Sequence, residues 1–169
     1  MDHYSRDMSV MGLRLSVLAC GVLAAAATAG GCRDRSGAWV EIAGRRWHVR
    51  LATNQAQWRT GLAGVKELRQ DEGMLFVFDK PEVQEFWMRE CVIPLDLAFI
   101  DAEGRVVRTV TMAVEPAGTA ELRLYSSDVP VLYALEVSAG GLEAAGARPG
   151  DVVNFSPEVR RAIKAAHGR

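Results

Sequence analysis

The segment PLDLAFIDAEGRVVRTVTM, residues 94–112, admits one local structure. Leu95, Leu97 and Phe99 alternate with Asp96, Ala98 and Ile100, the DAEG tetrapeptide breaks the run, and a second β-branched run follows. Alternation with period two on both sides of a glycine-ended break is the signature of a β-hairpin, here turning at Ala102, Glu103 and Gly104. The same rhythm recurs through the chain. In AWVEIAGRRWHVRLA, Trp39, Val40 and Ile42 lead to a turn at Gly44, and Trp47, Val49 and Leu51 continue past it. GMLFVF at 73–78 is apolar throughout, as a strand buried on both faces must be, with a turn expected at DKPE. VLYALEVSAG and VVNF supply the last strands.

Helices are the minority. Thr53 is positioned to cap a short helix in which Trp58 and Leu62 share a face, closed by Gly61 and Gly64. GLEAAGARPGD reads as a short helix and turn. Ser156 and Pro157 open a terminal helix with an apolar stripe of Val159, Ile163 and Ala166. Strands this short and frequent predict a mainly β fold with some α+β character: a compact antiparallel sandwich or barrel with short helices and a C-terminal helix. The 113–130 stretch, rich in Pro, Gly and Ser, is long enough to be a functional loop.

The first 31 residues follow a different logic. LSVLACGVLAAAATAGGC is apolar and small, of signal-peptide length and too short to span a bilayer. Its AGGC ending is that of a lipoprotein cleavage site, with Ala29 where leucine is usual, so Cys32 is the expected lipidation residue and residues 32–37 a tether. The expected organisation is therefore signal 1–31, tether 32–37, one β-rich domain over 38–156, and a C-terminal helix and tail over 157–169. The expected location is the cell envelope, with the protein exported and held to a membrane by its N-terminal lipid. Of the cysteines, Cys20 leaves with the signal and Cys32 is acylated; Cys91 then has no partner within the mature body, and the fold rests on its core. Twenty basic residues against twenty-one acidic ones leave no electrostatic footprint for nucleic acid.

Several blocks in register carry a resemblance: TNQAQWRTGL, DEGMLFVF, FWMRECVIPLDLAFID, YALEVSAG and PGDVVNF. Over roughly Trp47 to Phe155 the chain resembles the bacterial and archaeal family catalogued as domain of unknown function 192. The resemblance implies a compact β-rich, jelly-roll-like domain, often exported and sometimes lipid-anchored, and supplies no activity. The chain departs from the family pattern at Ala63 and Val65, where methionine and arginine are usual. It departs again at Arg89, Glu90 and Cys91, where the family usually reads Lys-Asn-Thr, so Cys91 stands at a threonine position.

The residue types bound the chemistry. A nucleophilic Cys91 needs a histidine base, and the mature chain offers only His48, within a strand, and His167, in the tail; Glu90 beside the thiol raises its pKa. Cys91 is therefore expected to be structural. Neither zinc nor phosphate motifs are present, while Met74, Met88, Met112 and Cys91 form a soft set suited to copper(I) if they meet. Glu90, Asp96 and Glu136 adjoin apolar strands and would serve a hydrolase if two converged in a cleft. No catalytic residue, metal ligand or cofactor is assigned. The reading with most behind it is a non-catalytic envelope module that binds a carbohydrate-like or protein ligand. Its candidate ligand-binding residues are Trp87, Met88, Glu90, Asp96, Tyr125, Ser126 and Ser127, framing one end of the sandwich.

Overall fold

A computed structural model describes residues 37–168; the expected signal segment, Cys32 and all but the last residue of the tether lie outside the described residues. The chain runs β1 (Trp39–Ile42), β2 (Arg45–Ala52), α1 (Gln55–Thr60), β3 (Glu72–Glu82), β4 (Glu85–Phe86), β5 (Leu95–Ile100) and β6 (Val106–Met112). It continues with β7 (Tyr125–Ser126), β8 (Val131–Ser138), α2 (Gly141–Ala145), β9 (Asn154–Phe155) and α3 (Pro157–His167). Seven strands form one curled sheet, a half-barrel, in the order β6-β5-β8-β3-β2-β1-β9, and β4 pairs with β7 in a separate ribbon. The mainly β expectation is met. Every pairing is antiparallel except β2 with β3, which run parallel because the α1 segment carries the chain back to its starting edge.

The predicted hairpins form. β5 and β6 pair antiparallel across the DAEG turn, where the Asp101 carboxylate accepts from the Arg105 amide at 2.7 Å. β1 and β2 join through Ala43 and Gly44, both at positive φ, as a two-residue primed turn requires. Ser156 caps α3, its hydroxyl accepting from the Val159 amide, and Val159 and Ala166 are buried. Two local readings change. Asn54 is the α1 cap, accepting from Gln57 N at 3.0 Å, and DKPE continues β3 instead of turning, with a register irregularity between Val77 and Glu82. Exposure of that strand end lets Pro81 sit there without leaving a buried acceptor unpaired.

The three central strands separate two apolar layers. From β8, Tyr133, Leu135 and Val137 join Leu75, Val77, Ala98 and Ile100 in one layer, which α2 and α3 help to cover. Ala134 faces the other, with Met74, Phe76, Phe78, Leu97 and Phe99. This second layer lies beneath the segment around α1 and the β4–β7 ribbon, and there one strand position breaks the pattern.

Candidate functional site

Glu136 is that position. Period-two geometry puts it on the same side of β8 as Ala134, and its register partners are Met74 on β3 and Leu97 on β5. An acid is thus set between two apolar side chains at the centre of a sheet. Glu136 is only 4% exposed and its Oε2 has no hydrogen-bond partner. Desolvation pushes its carboxyl from 4.5 up to about 8, so the group is mostly a neutral acid at pH 7, able both to donate and to accept.

Two glycines approach it, Gly73 at its backbone and Gly61 at its side chain. Gly73 of β3 lies so close to β8 that a Cβ there would fall 2.5 Å from the Glu136 carbonyl oxygen. Gly61, closing α1 at φ 47, ψ −129, carries the backbone past the acid in a conformation that side chains disfavour; a Cβ there would lie 3.8 Å from Glu136 Oε2. Gly61 and Glu136 both line a cavity of about 230 Å³, whereas Gly73 faces Val137 and Leu135 on the other side of the sheet.

Aromatic rings form its walls. Phe76 and Phe86 meet edge to face at 5.0 Å, Trp58 and Phe78 tilt together at 5.5 Å, and the Trp58 indole donates to the Ala52 carbonyl at 3.0 Å, which fixes that ring. The exposed rim carries Arg59, Glu85 and Arg89, with the Arg89 guanidinium 5.7 Å from the centre of the Trp87 ring. Cys91 stands on the wall, half-buried. Its thiol is pushed up to about 11, first by burial, then by Glu136 and Glu90. This accords with a structural thiol. Neither of the two histidines among the described residues lines the cavity: His167 Nε2 donates to the Phe78 carbonyl at 2.8 Å, anchoring the end of α3, and His48 borders a groove beside Gly73.

The seven residues expected at a ligand mouth are distributed unequally. Trp87, 40% exposed, lines the cavity. Met88 is buried and, with Glu90, borders a wider depression of about 610 Å³ on the other side of Cys91, against the 114–122 loop. Glu90 has φ 58, a left-handed conformation in which asparagine, the usual family residue there, is better tolerated. Tyr125, Ser126 and Ser127 do come beside Phe86 through the ribbon, yet they brace it. Tyr125 Oη accepts from Ala113 N, Ser126 Oγ accepts from Asp128 N, and buried Ser127 accepts from Gln84 N and donates to the Val129 carbonyl.

Asp96 stands apart from all of these. Its neighbour Leu97 is the residue paired with Glu136, so Asp96 points to the opposite face. There its carboxylate accepts from Thr111 Oγ1 at 2.8 Å and from Leu142 N at 3.0 Å, serving α2, whose own cap residue is Gly140. These donors come from β6 and α2. Among the described residues no three histidine, cysteine, aspartate or glutamate side chains gather around a metal position; Met74, Met88 and Met112 are buried in the core layer. Sequence reasoning flagged Glu136 as one carboxylate among three and passed over Trp58, Arg59, Phe76, Phe78 and Phe86 as sites. The signal that singles out Glu136 is an acid inside a strand whose flanking residues, VLYAL and V, are nearly all apolar.

The family model for domain of unknown function 192, described as "Uncharacterized ACR", matches residues 38–155. The chain is also similar to solved structures. One is a protein of unknown function from Novosphingobium aromaticivorans, 31% identical, with 69% of this chain and 83% of that chain covered and a TM-score of 0.62. Another is a protein from Sinorhizobium meliloti named as a candidate transcription regulator, 30% identical, with 70% and 92% covered and a TM-score of 0.62. Among curated proteins none matches the chain.

Proposed function

We propose that this chain, which belongs to the family catalogued as domain of unknown function 192, is an exported, lipid-anchored binding module whose aromatic cavity takes a carbohydrate-like ligand. One observation carries the reading: a buried acid with an unpaired oxygen lines a cavity walled by rings. Leaving a buried polar atom unpaired costs about 1–3 kcal/mol, a cost that a ligand hydroxyl offsets when it binds. Aromatic rings offer flat apolar surface to the C–H face of a sugar, and Gln55, Thr60 and Gln84 on the lining offer polar partners for its hydroxyls.

Binding has more support than hydrolysis. Of Glu90, Asp96 and Glu136, Glu136 alone lines this cavity; Asp96 is on the opposite face, Glu90 borders the other depression, and the second acid on the lining, Glu85, is exposed at the rim beside Arg59 and Arg89. The regulator description of the Sinorhizobium protein, if taken toward nucleic acid, has little to recommend it for a chain of formal charge −1. Export and anchoring rest on the apolar N-terminal segment and its AGGC ending.

The test is a glycan-array screen of the purified full chain, followed by titration of each hit against Glu136→Ala and Trp58→Ala. Affinity should fall in both variants. No hit, or hits indifferent to both substitutions, would refute the site; release of reducing ends during titration would make the protein a hydrolase. For the anchor, Cys32→Ser should move the protein from the detergent phase to the aqueous phase or leave it unprocessed, and unchanged partitioning would refute lipidation.

A further inference from the structure

The two ends of the cavity differ in what they lack. At the buried end, Glu136 Oε2 has no partner. At the rim, Arg59 and Arg89 are both exposed, and among the described residues neither takes part in an ion pair. Arg89 is held over the Trp87 ring, which orients its guanidinium beside the opening.

We propose that the cavity takes a sugar acid, a single ring whose carboxylate is held at the rim by Arg59 and Arg89, whose apolar face lies on the aromatic walls, and whose far hydroxyl bonds Glu136. The inference rests on the carbohydrate reading above and narrows it. A volume of about 230 Å³ is below the roughly 300–1,000 Å³ of sites for drug-sized ligands and suits one ring, with longer chains leaving through the mouth.

Charge decides the class. The charged groups on the lining are Arg59, Arg89 and Glu85, together with Glu136, which is mostly neutral at pH 7. The site is therefore net positive. An amino sugar would bring its ammonium toward two guanidiniums, and a neutral sugar would leave the excess positive charge unmatched. A carboxylate matches their planar forks, the geometry in which arginine is most selective. A neutral Glu136 also spares the ligand a second negative charge at the buried end of the cavity.

The experiment uses three probes of one ring size, glucuronate, glucose and glucosamine, titrated into the full chain at pH 7 and followed by ligand-observed NMR. Glucuronate should bind at least tenfold more tightly than glucose, and glucosamine more weakly than glucose. Raising the salt concentration should erode the glucuronate advantage. In Arg59→Gln/Arg89→Gln that advantage should disappear, while an unchanged melting temperature shows that the exposed substitutions leave the fold intact. Equal binding of glucose and glucuronate, or a preference for glucosamine, would overturn the sugar-acid inference and leave the carbohydrate reading standing. Failure of all three to bind, with the parent chain folded, would overturn both.

Discussion

Replacing Glu136 by glutamine should remove most of the pH dependence of stability between pH 6 and 8. The acid sits between Met74 and Leu97 on a central strand, 4% exposed, and desolvation holds its pKa near 8 against 4.5 for the solvated group. Between those values the folded chain keeps a proton that the unfolded chain has lost. Stability then falls as pH rises: the contribution is fully present below about 4.5 and lost as pH passes through about 8. One proton gives a slope of at most about 1.4 kcal/mol per pH unit, so the loss from pH 6 to 8 should be about 2 kcal/mol. Glutamine keeps the shape and hydrogen-bonding capacity without titrating. Urea unfolding of parent and variant at pH 6, 7 and 8, followed by tryptophan fluorescence, yields the difference free of the other titrating groups. A parent-minus-variant difference that stays flat across the window would refute the buried neutral acid. A flat difference is what an ionised Glu136 with a counter-charge would give, because its linkage would lie below about pH 4.5.

Other expectations follow from the same packing. With its pKa near 11 and its side chain half-buried, Cys91 should react with iodoacetamide at pH 8 at least a hundredfold more slowly than a free cysteine, measured peptide by peptide by mass spectrometry; a rate equal to the free thiol would overturn the assignment. Asp96→Ala should cost about 1–3 kcal/mol by stranding the Thr111 and Leu142 donors. Asp96→Asn should recover part of that, because both donors are neutral, and an asparagine variant no more stable than the alanine one would show that the charge itself is required. Gly73→Ala should cost about 1–3 kcal/mol or more in urea unfolding, since its methyl would collide with the Glu136 carbonyl; a neutral result would contradict the close approach of β3 and β8.

What could be read from the sequence was local and periodic. Alternation at 95–100 identified a strand and set Asp96 on the face away from Leu95, Leu97 and Phe99, because side chains on a strand must point to opposite sides. The Ser156–Pro157 pair marked a helix start, because a hydroxyl there can take an orphan amide and proline lacks one. The DAEG and AG turns were legible for a similar reason, their backbones needing the residues found there. Pairing between distant strands was not legible. Nothing in residues 45–52 or 72–82 says that they lie parallel, since period two fixes the faces of a strand and leaves its neighbour and direction open. DKPE has turn composition yet lies in β3, where pairing of Glu82 with Val131 overrides local preference. The site depends on such pairings throughout. Trp58, Phe76, Phe86 and Glu136 come from four elements and share a wall only because β3 and β8 pair while α1 and the β4–β7 ribbon close over them. The sequence determined that an acid stood in an apolar strand. Only the assembled sheet decided that it would be neutral, because desolvation is imposed by surrounding atoms that Met74, Leu97 and the Gly61 backbone bring from elsewhere in the chain.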